Sequence, residues 1–137
     1  MAPATYDVTV AVASRGRPER LGRLLDSLAA QTLATDAFEV IVAVDGPDPE
    51  TEALLGERAA SSPFRLEALL RPVSGGPSAA RNDAWRAGSG SLVAFTDDDC
   101  EATPDWLAAL LAAAAASPGA VIQGPTCLLY TSDAADE

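Results

Sequence analysis

The chain has 137 residues, 48% hydrophobic and 21% charged, a globular composition that fits one domain. Its formal charge is −11, with nine arginines, no lysine and no histidine. That excludes a broad basic surface for nucleic acid, and it excludes Ser-His-Asp and Cys-His hydrolases and histidine-based metal sites. Cys100 and Cys127 make neither a disulfide framework nor a zinc site, and the absence of a signal peptide or a long apolar run predicts a cytoplasmic chain.

Residues 7–13 (Asp-Val-Thr-Val-Ala-Val-Ala) are apolar and β-branched and predict a buried first strand, broken by Ser14-Arg15-Gly16-Arg17. Pro18 suits a first helical position, and Leu21, Leu24, Leu25 and Leu28 then recur at helical spacing. Residues 38–44 predict a second buried strand ending at Asp45-Gly46, and Asp48-Pro49 opens a second helix carrying Leu54 and Leu55. A third, short strand is predicted over 65–70. After it a Gly/Pro/Ser loop over 72–77 leads into a helix over 78–87, which Gly88 and Gly90 end. Residues 91–96 form a fourth strand running into Asp97-Asp98-Asp99. Thr103-Pro104 is expected to cap a last helix whose Leu107, Leu110 and Leu111 face inward.

This alternation predicts an α/β fold, a mainly parallel sheet covered on both faces with right-handed crossovers. Ligands bind such sheets at the strands' carboxyl ends. The polar clusters follow that rule: Ser14-Arg15 after the first strand, Asp45 after the second, Asp97 to Asp99 after the fourth. The last eleven residues, from Cys127 to Glu137, resemble the in-frame translation of a transposon-end adaptor used in sequencing libraries. Residues 1–126 are therefore expected to be the protein domain and 127–137 a non-native tail.

Three adjacent carboxylates at the end of an apolar strand repel one another, each close pair by about 3 kcal/mol at ~5 Å and an effective dielectric near 20. A divalent cation removes that cost, and hard oxygen ligands select Mg²⁺ or Mn²⁺. In an extended backbone Asp97 and Asp99 point the same way, which makes them the expected metal ligands, with Asp98 available to a ribose. The alternative is a solvated acidic turn that ends a strand. Asp45, as an acceptor at a strand end, suits a base imide N–H or a ribose hydroxyl; the alternative is an Asp-Gly turn. Arg81, early in its helix, suits phosphate oxygens or, equally, a partner carboxylate such as Asp97. Ser14 and Arg15 complete the expected nucleotide-binding set. Arg17 is left out, since a loop arginine needs no special explanation.

Taken in order, Val10-Ala11-Val12-Ala13-Ser14-Arg15, Glu39-Val40-Ile41-Val42 with Asp45-Gly46, Ala80-Arg81-Asn82, Phe95-Thr96-Asp97-Asp98-Asp99 and Pro104-Asp105-Trp106-Leu107 resemble family 2 glycosyltransferases across residues 7–125. The resemblance implies the front half of a GT-A fold, Rossmann-like with three α/β/α layers, truncated before its acceptor-binding half. It implies metal-assisted transfer, usually with inversion, from a nucleoside-diphosphate sugar, a UDP-sugar in preference, to an acceptor hydroxyl on a glycan, lipid or other compound. Asp45 would contact the base, and Asp97 to Asp99 the ribose and metal. The general base would lie beyond residue 137, so no catalytic residue is assigned here and the chain alone is expected to transfer nothing. One departure is Val44, where the family often has a second acid before the glycine. Two other readings remain: a nucleotide-binding chain without activity, and a sugar-phosphate nucleotidyltransferase, for which Ser14-Arg15-Gly16-Arg17-Pro18 is a poor phosphate loop. A dehydrogenase is excluded by the missing G-x-G-x-x-G.

Overall fold

The computed structural model describes residues 5–122; Cys127 and the predicted tail over 127–137 lie outside the described residues. The elements run β1 (Tyr6–Ser14), α1 (Pro18–Ala29), β2 (Phe38–Val44), α2 (Pro49–Ser61), β3 (Arg65–Leu70), α3 (Pro77–Ala87), β4 (Gly90–Asp97) and α4 (Trp106–Ala116). The strands form one parallel sheet in the order β3-β2-β1-β4. The chain therefore builds outward from β1 to β3, then returns through α3 to start again on β1's other side. That reversal opens a crevice at the carboxyl ends of β1 and β4, where Ala13 is in register with Asp97.

Strand alternation sorts the two faces. Val8, Val10 and Val12 of β1 with Phe38, Val40, Val42 and Val44 of β2 pack against Leu21, Leu24, Leu25 and Leu28 of α1, Leu55 of α2 and Leu107 of α4. Each of these leucines is almost fully withdrawn from water and contributes about 2 kcal/mol. The other face is built of smaller side chains: Ala11, Ile41 and Ala43 meet Ala80 and Ala84, so α3 lies close on the sheet. Among the described residues α3 is the helix that covers this face, and Phe95 at its margin stays 52% exposed, so coverage is less complete than the alternation predicted.

Two connections differ from the sequence expectation. The last helix begins at Trp106, with Asp105 at the cap position making no side-chain bond. Its start is instead met from across the chain, where Gln31 Oε1 accepts the Leu107 N–H at 3.0 Å while Gln31 Nε2 donates to the Thr103 carbonyl at 2.7 Å. The aspartate run is not extended either. Strand β4 stops at Asp97, and the Cys100 N–H donates to the Asp97 carbonyl at 3.2 Å, closing a turn over Asp98 and Asp99.

Candidate functional site

A cavity of about 410 Å³ opens at the carboxyl edge of the sheet, and Ser14, Arg15, Asp45, Arg81, Asp97, Asp98 and Asp99 all line it, together with Arg17, Ser74 and Gly76. The fold brings them together because each follows a strand or begins a helix on the same edge. Around it the loops are tied down by Asp48, whose carboxylate accepts from Thr51 at the start of α2 and from the Gly16 N–H at 2.6 Å. Gly16 takes a positive φ of 66°, which turns the chain from β1 into α1.

The turn, rather than strand alternation, makes Asp97 and Asp99 converge. Ligand atoms of Asp97, Asp99 and Cys100 lie within 4.8 Å of one another. Burial, reinforced by the charges of Asp99 and Asp97, pushes the Cys100 thiol up from its ordinary range, so the carboxylates are the anionic donors of the group. A hard divalent cation such as Mg²⁺ or Mn²⁺ fits that donor set better than a thiolate-seeking metal. Asp97 stands half exposed with Arg81 Nη2 at 2.6 Å from its Oδ1. The pairing weighed from sequence is thus present, at the rim rather than in the interior.

Asp98 is bonded to the end of β1 and the loop after it. Its Oδ2 accepts from Ser14 Oγ at 3.0 Å and from the Arg15 N–H at 3.4 Å, and Arg17 Nη1 lies 3.2 Å from its Oδ1. Burial pushes its carboxyl up, opposed by the Ser14 hydrogen bond and the Arg17 charge. Arg17 Nη1 also lies 3.2 Å from Asp99 Oδ2. The Arg15 side chain reaches the β3–α3 loop, where its Nη1 donates to Ser74 Oγ at 2.7 Å.

Asp45 is held by the loop between β3 and α3. Its carboxylate accepts from the Gly75 and Gly76 N–H groups at 2.9 and 3.0 Å, from Ser74 Oγ at 2.9 Å and from Arg71 Nε at 3.2 Å. The Gly75 bond, offset by burial and aided by Ser74, Gly76 and Arg71, holds its carboxyl below the ordinary value of 3.8. Gly76 has φ +94°, so a side chain there would strain the loop that presents these donors.

Sequence reasoning missed Arg17, Arg71 and Ser74. Arg71 directly follows β3, so the rule that selected Ser14, Asp45 and Asp97 would have found it; it also pairs with Asp83. Nothing local distinguishes Arg17, whose role depends on a turn eighty residues later in the chain.

The sequence profile described as glycosyl transferase family 2 matches residues 9–127. The chain belongs to glycosyl transferase family 2. It is 34% identical over 127 residues to the succinoglycan biosynthesis protein ExoM of Rhizobium meliloti, covering 92% of this chain and 40% of that protein. The fold is similar to residues 1–349 of TarS from S. aureus in complex with UDP, with a TM-score of 0.73 at 22% identity over 86% of this chain and 38% of that one. It is also similar to the mannosyltransferase PcManGT from Pyrobaculum calidifontis in complex with GDP-Man and Mn²⁺, with a TM-score of 0.65 at 26% identity over 72% and 30%. The α/β fold is that of GT-A glycosyltransferases. The chain spans about 40% of the length of ExoM. Among its described residues no helix is long and apolar enough to cross a membrane.

Proposed function

We propose that this family 2 chain is the donor-binding part of a glycosyltransferase that moves a sugar from a nucleoside-diphosphate sugar, a UDP-sugar in preference, to an acceptor hydroxyl. The observation that carries this is the turn over Asp97, Asp98 and Asp99, which gathers carboxylates at the mouth of a cavity also lined by Arg15, Arg17 and Arg81. An acidic protein that takes an anionic ligand needs a local cation or arginines, and this edge of the sheet offers arginines together with carboxylates able to hold a cation. The UDP held by TarS and the GDP-Man and Mn²⁺ held by PcManGT support the same reading.

Asp97 and Asp99 would hold the divalent cation, Mg²⁺ or Mn²⁺. Bound there, it supplies Lewis-acid stabilisation of the leaving diphosphate. The chain's own residues bind and orient. Arg81 and Arg15 offer guanidinium groups to phosphate oxygens, and Ser14 and Asp98 offer a hydroxyl and a carboxylate to the ribose. Asp45 shapes the base end of the cavity by holding residues Ser74 to Gly76 in place. Inversion by direct displacement needs a general base on the acceptor hydroxyl, and none of the described residues is assigned that role. The base and the acceptor site belong to a part of the parent protein outside this chain, so the chain alone binds donor without transferring it. Residues 1–126 are read as the transferase part and residues 127–137 as a non-native, adaptor-like tail.

Calorimetric titration of UDP with and without Mn²⁺, in wild type and Asp99→Ala, tests the assignment. Metal-dependent binding that the variant loses is the expected result. A folded wild-type chain that binds UDP equally well without metal, or not at all, would defeat it.

A further inference from the structure

The repulsion among Asp97, Asp98 and Asp99 is offset by arginines already in contact with them. A single nitrogen, Arg17 Nη1, lies 3.2 Å from both Asp98 Oδ1 and Asp99 Oδ2, and Arg81 Nη2 lies 2.6 Å from Asp97 Oδ1. Two guanidinium groups thus stand on the same carboxylates that a divalent cation would use. Arg17 is the more telling of the two. It comes from the β1–α1 loop at the cap position of α1, where its side chain makes no capping bond, and it is 48% exposed. Its partners are almost fully buried, with side-chain exposures of 7% for Asp98 and 11% for Asp99.

We infer that Arg17 is a positioning residue that couples cation and diphosphate binding: it bridges Asp98 to the cation ligand Asp99 and is drawn off Asp99 by the diphosphate. This rests on the donor-site reading above. The charge balance gives the reason. Among the groups lining the cavity, Arg17 and Arg81 contact the three consecutive aspartates, so a ligand of either charge meets contacts already made. A cation entering alone must break the Arg17 contact to Asp99 and leave the guanidinium group, still held by Asp98, beside a new positive charge. A diphosphate entering alone must compete with the aspartates for the same arginine. When both enter, the carboxylate is given to the cation and the guanidinium to a phosphate oxygen, and every charge keeps a partner. Each ligand then strengthens the other by the same factor, as linkage requires.

The test is Mn²⁺ binding to the full chain, followed by the loss of the free-ion electron paramagnetic resonance signal, with and without saturating UDP, in wild type, Arg17→Ala and Arg17→Lys. In wild type, UDP should tighten Mn²⁺ about tenfold or more. In Arg17→Ala, Mn²⁺ alone should bind about fivefold tighter than to wild type, a modest factor because the arginine is half in water, and the gain from UDP should shrink. Arg17→Lys should restore part of that gain, and tighter Mn²⁺ binding by folded Arg17→Ala is a result that a purely structural role for Arg17 would not give. Mn²⁺ binding to Arg17→Ala no tighter than to wild type, or an undiminished gain from UDP, would overturn the inference. Wild type that takes Mn²⁺ but no UDP defeats the donor reading, and Arg17 as the cation's competitor then stands or falls on the Mn²⁺-only comparison.

Discussion

The two ends of the sheet each bury acidic side chains, with opposite consequences. At the amino end Glu39 is 1% exposed in the middle of a row in which Thr9, Glu39 and Arg65 are in register across β1, β2 and β3. Its carboxylate accepts from Thr9 Oγ1, from Arg65 Nη1 and from the Ser89 N–H, each at 2.6 Å, and Thr9 Oγ1 accepts in turn from the Gly90 N–H at 2.8 Å. The backbone approaches so closely here that a Cβ on Gly90 would stand 2.4 Å from the Thr9 nitrogen. At the carboxyl end three acids compete for two arginines beside an open cavity. A buried acid matched one to one by converging donors is a device of the fold. Acids in excess of what surrounds them, at the mouth of a cavity, are disposed toward a ligand.

Removing Glu39 should give the largest effect and touch stability alone. Glu39→Ala leaves the Ser89 N–H, the Thr9 hydroxyl and one face of Arg65 without their acceptor, which should cost about 3 kcal/mol in urea denaturation while the folded population keeps its affinity for UDP. A loss under about 1 kcal/mol would break the contrast by showing that water or Glu67, which also pairs with Arg65, takes over the row.

Asp97→Asn should behave in the opposite sense. Its side chain is 53% exposed and its partner Arg81 is 37% exposed, so the unfolding free energy should move by no more than about 0.5 kcal/mol. Mn²⁺-dependent UDP binding should weaken at least about tenfold, or about 1.4 kcal/mol, by calorimetry. A stability loss as large as that of Glu39→Ala would make Asp97 part of the frame.

The fold was legible because periodicity reports packing directly. The runs over 38–44 and 65–70 coincide with β2 and β3, and the leucines at 21, 24, 25 and 28 are the buried stripe of α1. Candidate site residues were legible through one rule, that polar groups just beyond parallel strands share an edge. What sequence hid was geometry set by distant partners. The turn at Asp98 replaced the assumed extension, Gln31 met the start of α4 instead of Thr103, and Arg17 acquired its meaning from carboxylates far away in the chain. Glu39 lay inside a strand chosen for its apolar neighbours, and nothing in that pattern signals that Arg65 and Ser89 would converge on it.

Asp45 lies between these two types, and its titration sharpens the contrast with the smallest effect. It is 5% exposed and fully engaged like Glu39, yet it lines the cavity like Asp97. Its carboxyl is held below 3.8, chiefly by the Gly75 N–H. A depressed folded-state value means that ionised Asp45 contributes stability that is complete above pH 3.8 and is lost as pH falls through the folded-state value. Because its donors lie in one surface loop, the loss should appear as local opening, with the global unfolding free energy changing by about 1 kcal/mol or less. The amide proton shifts of Gly75 and Gly76 followed by NMR should titrate together with a midpoint below 3.8, and the step should vanish in Asp45→Asn. A midpoint above 3.8 would mean that burial outweighs the loop's hydrogen bonds, leaving Asp45 costly to ionise and placing it with the ligand-directed acids rather than with Glu39.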